Sequence, residues 1–131
     1  MAECKIGVVG VGKMGEYHVG VLSDMREAEL VGIVDSDQKR AKIVSERYKT
    51  SNYKDYKDLF KKVDAVVVAV PTSMHYSIGK EFIEAGIHTL LEKPCTNDLR
   101  QAEELFDIAA KKNVTLHIGH VERFNGAVQE L

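Results

Sequence analysis

Short, continuous runs of Val, Ile and Leu alternate along this chain with longer stretches in which apolar and charged residues are mixed. Strands that are covered on both faces of a sheet read as continuous apolar runs, so these segments are typical of a buried parallel sheet. Strands separated by helices form right-handed βαβ units, which favour the same arrangement. The alternation therefore predicts an α/β fold, a doubly wound parallel sheet flanked by helices. The predicted strands are residues 5–9, 30–34, 65–70, 89–91 and 115–118, with a weaker one at 51–53.

The mixed stretches between the strands predict helices. Gly86 ends one of them, as a C-terminal cap, and Asn97 or Asp98 begins the last as an N-terminal cap. In a doubly wound sheet, ligands bind in the crevice at the carboxyl ends of the strands. The predicted helices are residues 14–25, 38–48, a short one at 56–61, 75–85, and a last one that ends at residue 112.

Composition and charge exclude several classes of protein. The 131 residues are 44% hydrophobic, which suffices for one domain with a buried core. No apolar run approaches the roughly 18 residues of a spanning helix, and the amino terminus carries no signal-peptide pattern. The net charge of −2, with both signs interspersed, argues against nucleic acid or a membrane as a partner. Cys4 and Cys95 lack metal-ligand spacing, so we predict no metal site and two reduced thiols in the cytoplasm.

A glycine-rich hexad, Gly-Val-Gly-Lys-Met-Gly at residues 10–15, joins the first predicted strand to the first predicted helix. In this context the G-x-G-x-x-G pattern indicates a dinucleotide-binding turn of the Rossmann type. Gly10 permits the tight turn, Gly12 lets a pyrophosphate approach the backbone, and Gly15 lets the helix pack closely against the strand. A turn without a ligand would need fewer glycines. The predicted phosphate-binding residues are Gly10, Gly12, Lys13, Met14 and Gly15.

Asp35 ends the second predicted strand, about 20 residues after the last glycine of the hexad, where a Rossmann fold places its ribose-binding acid. A carboxylate there accepts hydrogen bonds from the ribose hydroxyls and repels a 2′-phosphate, so we predict NAD. Lys39 and Arg40 lie close enough to offset a phosphate, which leaves NADP open. The alkyl part of the Lys39 or Arg40 side chain would cover the adenine. Equally well, both side chains would belong to a solvated helix face. Asp35 is also a candidate helix cap, although Asp37 serves that purpose equally well.

Three further segments follow predicted strands: residues 70–75 (VPTSMH), 92–94 (EKP) and 119–125 (GHVERFN). Together with the glycine turn they resemble the glucose–fructose oxidoreductase / inositol dehydrogenase / rhizopine catabolism (Gfo/Idh/MocA) family over essentially the whole chain. The Glu-Lys-Pro tripeptide is the most specific part. The last segment resembles, more narrowly, the branch of UDP-N-acetylglucosamine 3-dehydrogenases. The resemblance implies an NAD(P)-dependent dehydrogenase that moves hydride between the nicotinamide and a sugar or sugar-nucleotide carbinol.

The resemblance also implies roles for the Glu-Lys-Pro residues. Lys93 would be the catalytic residue, binding both the cofactor and the substrate hydroxyl and assisting proton transfer; desolvation and nearby charge suit a lysine to this task. Glu92 would contact the nicotinamide ribose or carboxamide. Pro94 would fix the turn, and the resemblance suggests a cis peptide bond there. An ordinary exposed lysine is the competing interpretation of Lys93, and the flanking Glu92 and Pro94 argue against it.

Other residues gain expected roles from the same resemblance. Val70, Pro71, Thr72 and His75 would line the nicotinamide side, although His75 fits the first turn of an ordinary helix equally well. His120 and Arg123 would face the substrate, with a domain-interface ion pair as an equal alternative for the arginine.

Two histidines are expected to pack without contacting a ligand. His18 lies on the first helix, where a packing role is favoured although the position resembles one common in the family. His117 lies within the last predicted strand and is expected in the core.

Members of the family have two domains and are usually oligomeric. We expect residues 1–120 to form the dinucleotide-binding Rossmann domain and residues 121–131 to begin the connection to a second α+β domain, so that the chain is a fragment, inactive alone, of a homo-oligomeric enzyme. Gly126 stands where the family usually has proline. The alternative is a stand-alone, non-enzymatic NAD-sensing or scaffold domain, in which replacing Lys93 would have no effect. A biliverdin-reductase-like enzyme is a third interpretation that the motifs leave open.

Overall fold

The computed structural model describes residues 4–93, 96 and 98–119. In this part of the chain, strands and helices alternate as the sequence predicts, and two short 3₁₀ turns, Tyr56–Leu59 and Thr72–Met74, precede β4 and α3. The strands are β1 (Cys4–Val9), β2 (Ala28–Val34), β3 (Ser51–Tyr53), β4 (Ala65–Val68), β5 (His88–Leu91) and β6 (Leu116–Ile118). The helices are α1 (Lys13–Asp24), α2 (Gln38–Tyr48), α3 (His75–Glu84) and α4 (Leu99–Lys112).

The six strands form one parallel sheet in the order β3-β2-β1-β4-β5-β6. The chain builds the sheet outward from β1 to β3 and then returns to the other side of β1 to add β4. The loops that follow β1 and β4 therefore diverge to opposite faces and leave a crevice at the carboxyl ends of these strands. The predicted doubly wound Rossmann fold is confirmed.

Both faces of the sheet are buried, which explains the continuous apolar runs. In β4, Val67 packs with Val19 of α1 on one face, and Val68 packs with Phe82 of α3 on the other. All four side chains are inaccessible to solvent. Burying each such side chain stabilises the fold by about 1.5–3 kcal/mol, so the two packed layers hold the strand ends in fixed relative positions.

Several element boundaries differ from the sequence prediction for identifiable reasons. β4 ends at Val68, two residues early, because Pro71 has no N–H and restricts the residue before it. The carbonyl of Pro71 instead accepts a 2.9 Å bond from Met74 N, which forms the unpredicted 3₁₀ turn. His117 is half-buried instead of lying in the core, because β6 is an edge strand.

Helix caps follow the predicted chemistry where the structure describes them. Asp98 caps α4 by accepting a 2.8 Å bond from Arg100 N, while Asn97 lies outside the described residues. Gly86 adopts a φ of +82° just after α3, as a capping glycine does. Within the described ranges, no helix has both the length and the apolar character needed to cross a membrane.

Candidate functional site

The glycine turn between β1 and α1 is enforced by sterics at two of its three glycines. Gly10 has a φ of +92°, and a Cβ there would lie 2.8 Å from the backbone of Ala69. A Cβ on Gly15 would lie 1.7 Å from the carbonyl oxygen of Gly10, since α1 packs directly against the turn. The fold itself therefore requires glycine at both positions.

Gly12 is different, because the protein fold does not require it. Its φ of −67° suits any residue, and the nearest atom to a Cβ placed there is Nη1 of Arg40, at 3.6 Å. Gly12 is also the N-cap of α1, yet no side chain caps this helix end. The N-terminal amides of α1 thus face open space where an anion is favoured. Contacts within the described part of the protein therefore supply no steric reason for a glycine at this position.

Asp35 stands at the end of β2, half-buried and facing the glycine turn. Its Oδ2 accepts a 2.8 Å bond from Val11 N, and its Oδ1 accepts a 2.8 Å bond from Asp37 N. Asp37, rather than Asp35, is the N-cap of α2, accepting a 3.1 Å bond from Arg40 N. The helix thus has its own cap, and the Asp35 carboxylate is held in a fixed orientation toward the crevice.

These groups open onto a cavity of about 820 Å³ at the carboxyl ends of β1, β2 and β4. The volume lies in the range typical of small-molecule and cofactor sites. Its wall combines an apolar lining with three cations and three carboxylates. Lys39 and Arg40 were the two cations expected to offset a 2′-phosphate. Arg40 lines the cavity, whereas Lys39 is not part of its wall. The lining residues predicted from sequence are Gly10, Gly12, Lys13, Met14, Asp35, Arg40, Val70 and Pro71.

Ten lining residues had no predicted ligand role, and three of them, at positions 54–56, follow β3 directly. β3 is only three residues long, and its carboxyl end lies at the same edge of the sheet as those of β1 and β2. The order of the strands was the signal that would have identified these three. The ten residues are Val9, Val34, Ser36, Asp37, Lys54, Asp55, Tyr56, Ala69, Met74 and Ile78.

Tyr56 is the aromatic member of this group. Its hydroxyl donates a hydrogen bond to the Glu81 carboxylate, which together with burial raises the pKa of Tyr56 to about 12. Its ring packs against Phe60 and Phe82, with centroids 6.3 and 5.8 Å away. Tyr56 therefore presents a fixed, uncharged aromatic surface to the part of the cavity beyond Asp35.

The loop after β4 is fastened by His75. This residue is the first of α3, is 1% exposed, and donates a 2.8 Å hydrogen bond from Nε2 to the carbonyl of Val70. Thr72 begins the 3₁₀ turn that leads into α3. Neither His75 nor Thr72 lines the cavity; their contact with a cofactor stays a prediction. The bond instead sets the position of Val70, which does line it.

Glu92 and Lys93 follow β5, one strand beyond the cavity on the side away from Asp35. Glu92 N bonds to Val68 O of the adjacent strand at 3.3 Å. Its carboxylate pairs with Nε2 of His18 on α1. Lys93 is exposed, and its Cε lies 3.8 Å from where a Cβ on Gly119 would stand. The ends of β5 and β6 are thus brought together. The contact between His18 and Glu92 was not predicted from the sequence.

Three predicted residues lie outside the described part of the chain: Pro94, His120 and Arg123. Cys95 lies outside it as well, and Cys4 is half-buried, with its pKa raised to about 11 by burial and by Asp64. Among the described residues, no group of three or more His, Cys, Asp or Glu side chains has the arrangement of a metal site.

Comparison with known proteins agrees with this geometry. The model of the oxidoreductase family with an NAD-binding Rossmann fold matches residues 4–120. The chain is 33% identical over 131 residues to a UDP-N-acetylglucosamine 3-dehydrogenase of Acidithiobacillus ferrooxidans, covering 100% of this chain and 41% of the relative. This chain therefore spans about two fifths of that relative's length.

Solved structures show the same likeness. The crystallised UDP-N-acetylglucosamine 3-dehydrogenase GnnA of the same organism superposes with a TM-score of 0.87 at 32% identity, over 99% of this chain and 42% of that one. GenD2 from gentamicin A biosynthesis, solved in complex with NAD, superposes with a TM-score of 0.88 at 29% identity, over 91% of this chain and 35% of that one. The resemblance seen in the sequence motifs is confirmed.

Proposed function

Because this chain belongs to the oxidoreductase family with an NAD-binding Rossmann fold, we propose that it forms the cofactor-binding part of a dehydrogenase acting on a sugar or sugar nucleotide. The reaction is hydride transfer between the nicotinamide and a carbinol of the substrate. The observation that carries the proposal is the contrast among the three glycines. Gly10 and Gly15 serve the fold, while Gly12 leaves room over an uncapped helix end.

The residues present fit a dinucleotide along the whole crevice. The pyrophosphate would lie on the amides of the glycine turn at the N-terminus of α1, where a partial positive charge stabilises it. The adenosine would extend past Asp35 toward Tyr56. Its other half would extend past Val70 and Pro71 toward Glu92 and Lys93, at the ends of β4 and β5.

The choice of cofactor depends on the charges around Asp35, and we propose NAD. The carboxylate would accept bonds from the ribose hydroxyls, each worth about 1.5–3 kcal/mol, and would repel a 2′-phosphate. Arg40 acts in the opposite direction, because its guanidinium lies near the turn and attracts a phosphate. Its side chain is half-exposed and stands 3.9 Å from Asp37, so its attraction is screened and partly neutralised. We therefore expect the fixed carboxylate of Asp35 to outweigh the screened cation of Arg40.

In the reaction, a bound nicotinamide would supply or accept the hydride. Lys93 would hold the substrate hydroxyl and take its proton, as a general base placed within hydrogen-bond reach. Glu92 would orient the nicotinamide ribose or carboxamide. His120 and Arg123 would bind the sugar or its phosphate.

Calorimetric titration of the purified chain with NAD, NADP and ADP tests the proposal. We expect all three to bind, NAD more tightly than NADP. If neither NAD nor NADP bound, the proposed function would be refuted. If NADP bound more tightly than NAD, the role of Asp35 would be refuted. Catalysis needs reacting atoms held about 3–3.5 Å apart, and this chain corresponds to 41% of a dehydrogenase relative. We therefore propose that residues 1–131 alone turn over no sugar, which an absorbance assay at the reduced-nicotinamide band would check.

The role of Lys93 separates an enzyme from a sensor. In the protein as the cell makes it, Lys93→Ala should abolish turnover with a sugar nucleotide while NAD still binds. A matched control is Lys112→Ala, which removes an exposed lysine at the far end of α4. If Lys93→Ala turned over substrate as fast as the Lys112→Ala control, Lys93 would not be the proton acceptor.

A further inference from the structure

A buried hydrogen bond joins α1 to the end of β5. His18 lies three residues beyond Gly15, and its side chain is 0% exposed. Its Nε2 bonds to Oε1 of Glu92, whose side chain is 12% exposed, across 74 positions of sequence. Glu92 directly precedes Lys93. The helix that begins at the glycine turn is thereby linked to the segment that carries the proposed proton acceptor.

A histidine bonded to a carboxylate fills this part of the interior less favourably than apolar side chains would. A carboxylate only accepts, so Nε2 of His18 carries the hydrogen of this bond. Nδ1 is buried and has no hydrogen-bond partner among the described residues. A buried polar atom left unsatisfied destabilises a fold, whereas an apolar side chain of similar size would not. Packing alone therefore does not account for a histidine at this position.

The location of Glu92 supplies a reason. The residues proposed to bind the adenosine side lie at the ends of β1, β2 and β3, whereas Glu92 lies beyond β4 on the opposite side of the turn. Its amide bonds to Val68 of β4, which fixes its backbone but leaves the side chain free to rotate. His18 removes this rotational freedom by holding Oε1, so that the Glu92 carboxylate keeps one orientation at the end of β5.

We propose that His18 is a positioning residue for the nicotinamide half of the dinucleotide, acting through Glu92. The inference rests on the proposed function. It adds that α1 serves both halves of the ligand, with its first turn holding the pyrophosphate and His18 orienting the carboxylate beside Lys93. Loss of the contact should weaken binding of the nicotinamide nucleoside and leave binding of the ADP half unchanged.

The experiment compares NAD with ADP by calorimetric titration. His18→Leu keeps the volume and removes the hydrogen bond, while His18→Gln restores an N–H donor near the position of Nε2. We expect His18→Leu to lower NAD affinity about tenfold, the effect of losing one bond to a charged group. ADP affinity should not change, and His18→Gln should recover most of the loss for NAD.

A matched control separates positioning from stability. Val19 is next in sequence to His18 and is also 0% exposed, but its side chain makes no hydrogen bond to Glu92. Val19→Ala therefore creates a cavity under the same helix without removing the contact to Glu92. It should lower the free energy of unfolding while the ratio of NAD to ADP affinity stays constant. If this control changed the ratio as much as His18→Leu does, the positioning role would be wrong.

A double-mutant cycle covers the case in which His18→Leu fails to fold on its own. Glu92→Gln and His18→Asn, whose amide is too short to replace Nε2, should each lower NAD affinity, and combining them should produce no further loss beyond Glu92→Gln alone, because the two residues act as a unit. Independent, additive losses would overturn the inference. If wild-type protein binds neither NAD nor ADP, the proposed function itself fails. If it binds both and His18→Leu leaves their ratio unchanged, only the positioning role is wrong.

Discussion

The backbone N–H of Val11 donates a 2.8 Å hydrogen bond to Oδ2 of Asp35, joining the glycine turn to the end of β2. Asp37 N holds the other carboxylate oxygen at the same distance. The carboxylate is therefore oriented before a ligand arrives, and each oxygen retains the capacity to accept a further bond. Such preorganisation reduces the conformational entropy that is lost on binding.

Replacing Asp35 should change the preference between the two dinucleotides. We expect Asp35→Ser to weaken NAD binding and to shift the ratio of NAD to NADP affinity toward NADP by about tenfold or more, because the acceptor and the like charge are both removed. Calorimetric titration with each dinucleotide measures the ratio.

Asp64→Asn is the matched control for this change. Asp64 also accepts a backbone hydrogen bond, at 3.0 Å from Lys5 N, but it precedes β4 and lies at the opposite end of the strands. It should leave the ratio unchanged. An equal shift in both variants would mean that net charge, and not the position of Asp35, sets the preference.

The glycines of the turn should divide into two classes on substitution. Gly15→Ala places a Cβ 1.7 Å from a backbone oxygen and should destabilise the fold by more than about 3 kcal/mol. Gly12→Ala meets no such clash and should change the free energy of unfolding by less than about 1 kcal/mol. It should nevertheless weaken NAD binding at least about tenfold, because the methyl group stands between the backbone and the pyrophosphate.

Urea unfolding and NAD titration of the same two variants measure these effects. Gly20→Ala is a control for replacing a helical glycine. Gly20 lies in the middle of α1, and a Cβ there would stand 3.6 Å from the Tyr48 side chain, an ordinary contact distance. Normal NAD affinity in a folded Gly12→Ala protein would contradict the placement of the pyrophosphate.

Local patterns predicted the sheet and the glycine turn because both depend on residues that are adjacent in the sequence. Continuous apolar runs identify strands buried on two faces, and the hexad contains the steric requirements of its own turn. The capping roles of Asp37 and Asp98 were likewise readable from single positions before helices.

Contacts between distant segments were not predictable in this way. His18 was predicted to pack and is buried, but its partner Glu92 lies 74 residues away, and no periodicity specifies that pairing. Tyr56 was assigned to a short helix, and its place in the cavity wall depends on β3 lying beside β2. Which distant side chains meet depends on the order of the strands in the sheet. The alternation of strands and helices along the sequence does not by itself determine that order.

The ring of Tyr56 should contribute to dinucleotide binding independently of its hydroxyl. Tyr56→Phe removes only the bond to Glu81 and should leave NAD affinity within a factor of about two, while lowering the free energy of unfolding by about 0.5–1.5 kcal/mol. Tyr56→Ala removes the aromatic surface and should weaken NAD and ADP binding equally, by several-fold.

Phe60→Ala provides the comparison, because Phe60 belongs to the same aromatic cluster but does not line the cavity. It should reduce stability without changing affinity. Titration calorimetry and urea unfolding distinguish these effects, and an unaltered ADP affinity in Tyr56→Ala would place the adenosine elsewhere.

His88 should make stability depend on pH at the junction of β5 and β6. Its Nδ1 accepts a 3.0 Å hydrogen bond from Thr115 N, so the folded protein requires the unprotonated ring. Burial lowers the pKa of His88 below its ordinary value of 6.5, and the nearby Asp64 opposes this effect only partly. The unfolded chain therefore binds the proton more tightly, and the contribution of His88 to stability is complete above pH 6.5 and is lost as the pH falls below it.

The variant that tests this is His88→Asn, whose side-chain oxygen replaces Nδ1 as an acceptor but does not titrate. Between pH 8 and pH 5.5 the free energy of unfolding, measured in urea, should fall more steeply for the wild type than for His88→Asn. The other histidines are common to both proteins and cancel in the difference. Parallel curves would show that protonation of His88 is not linked to unfolding, and a steeper curve for the variant would reverse the assigned direction of the pKa shift.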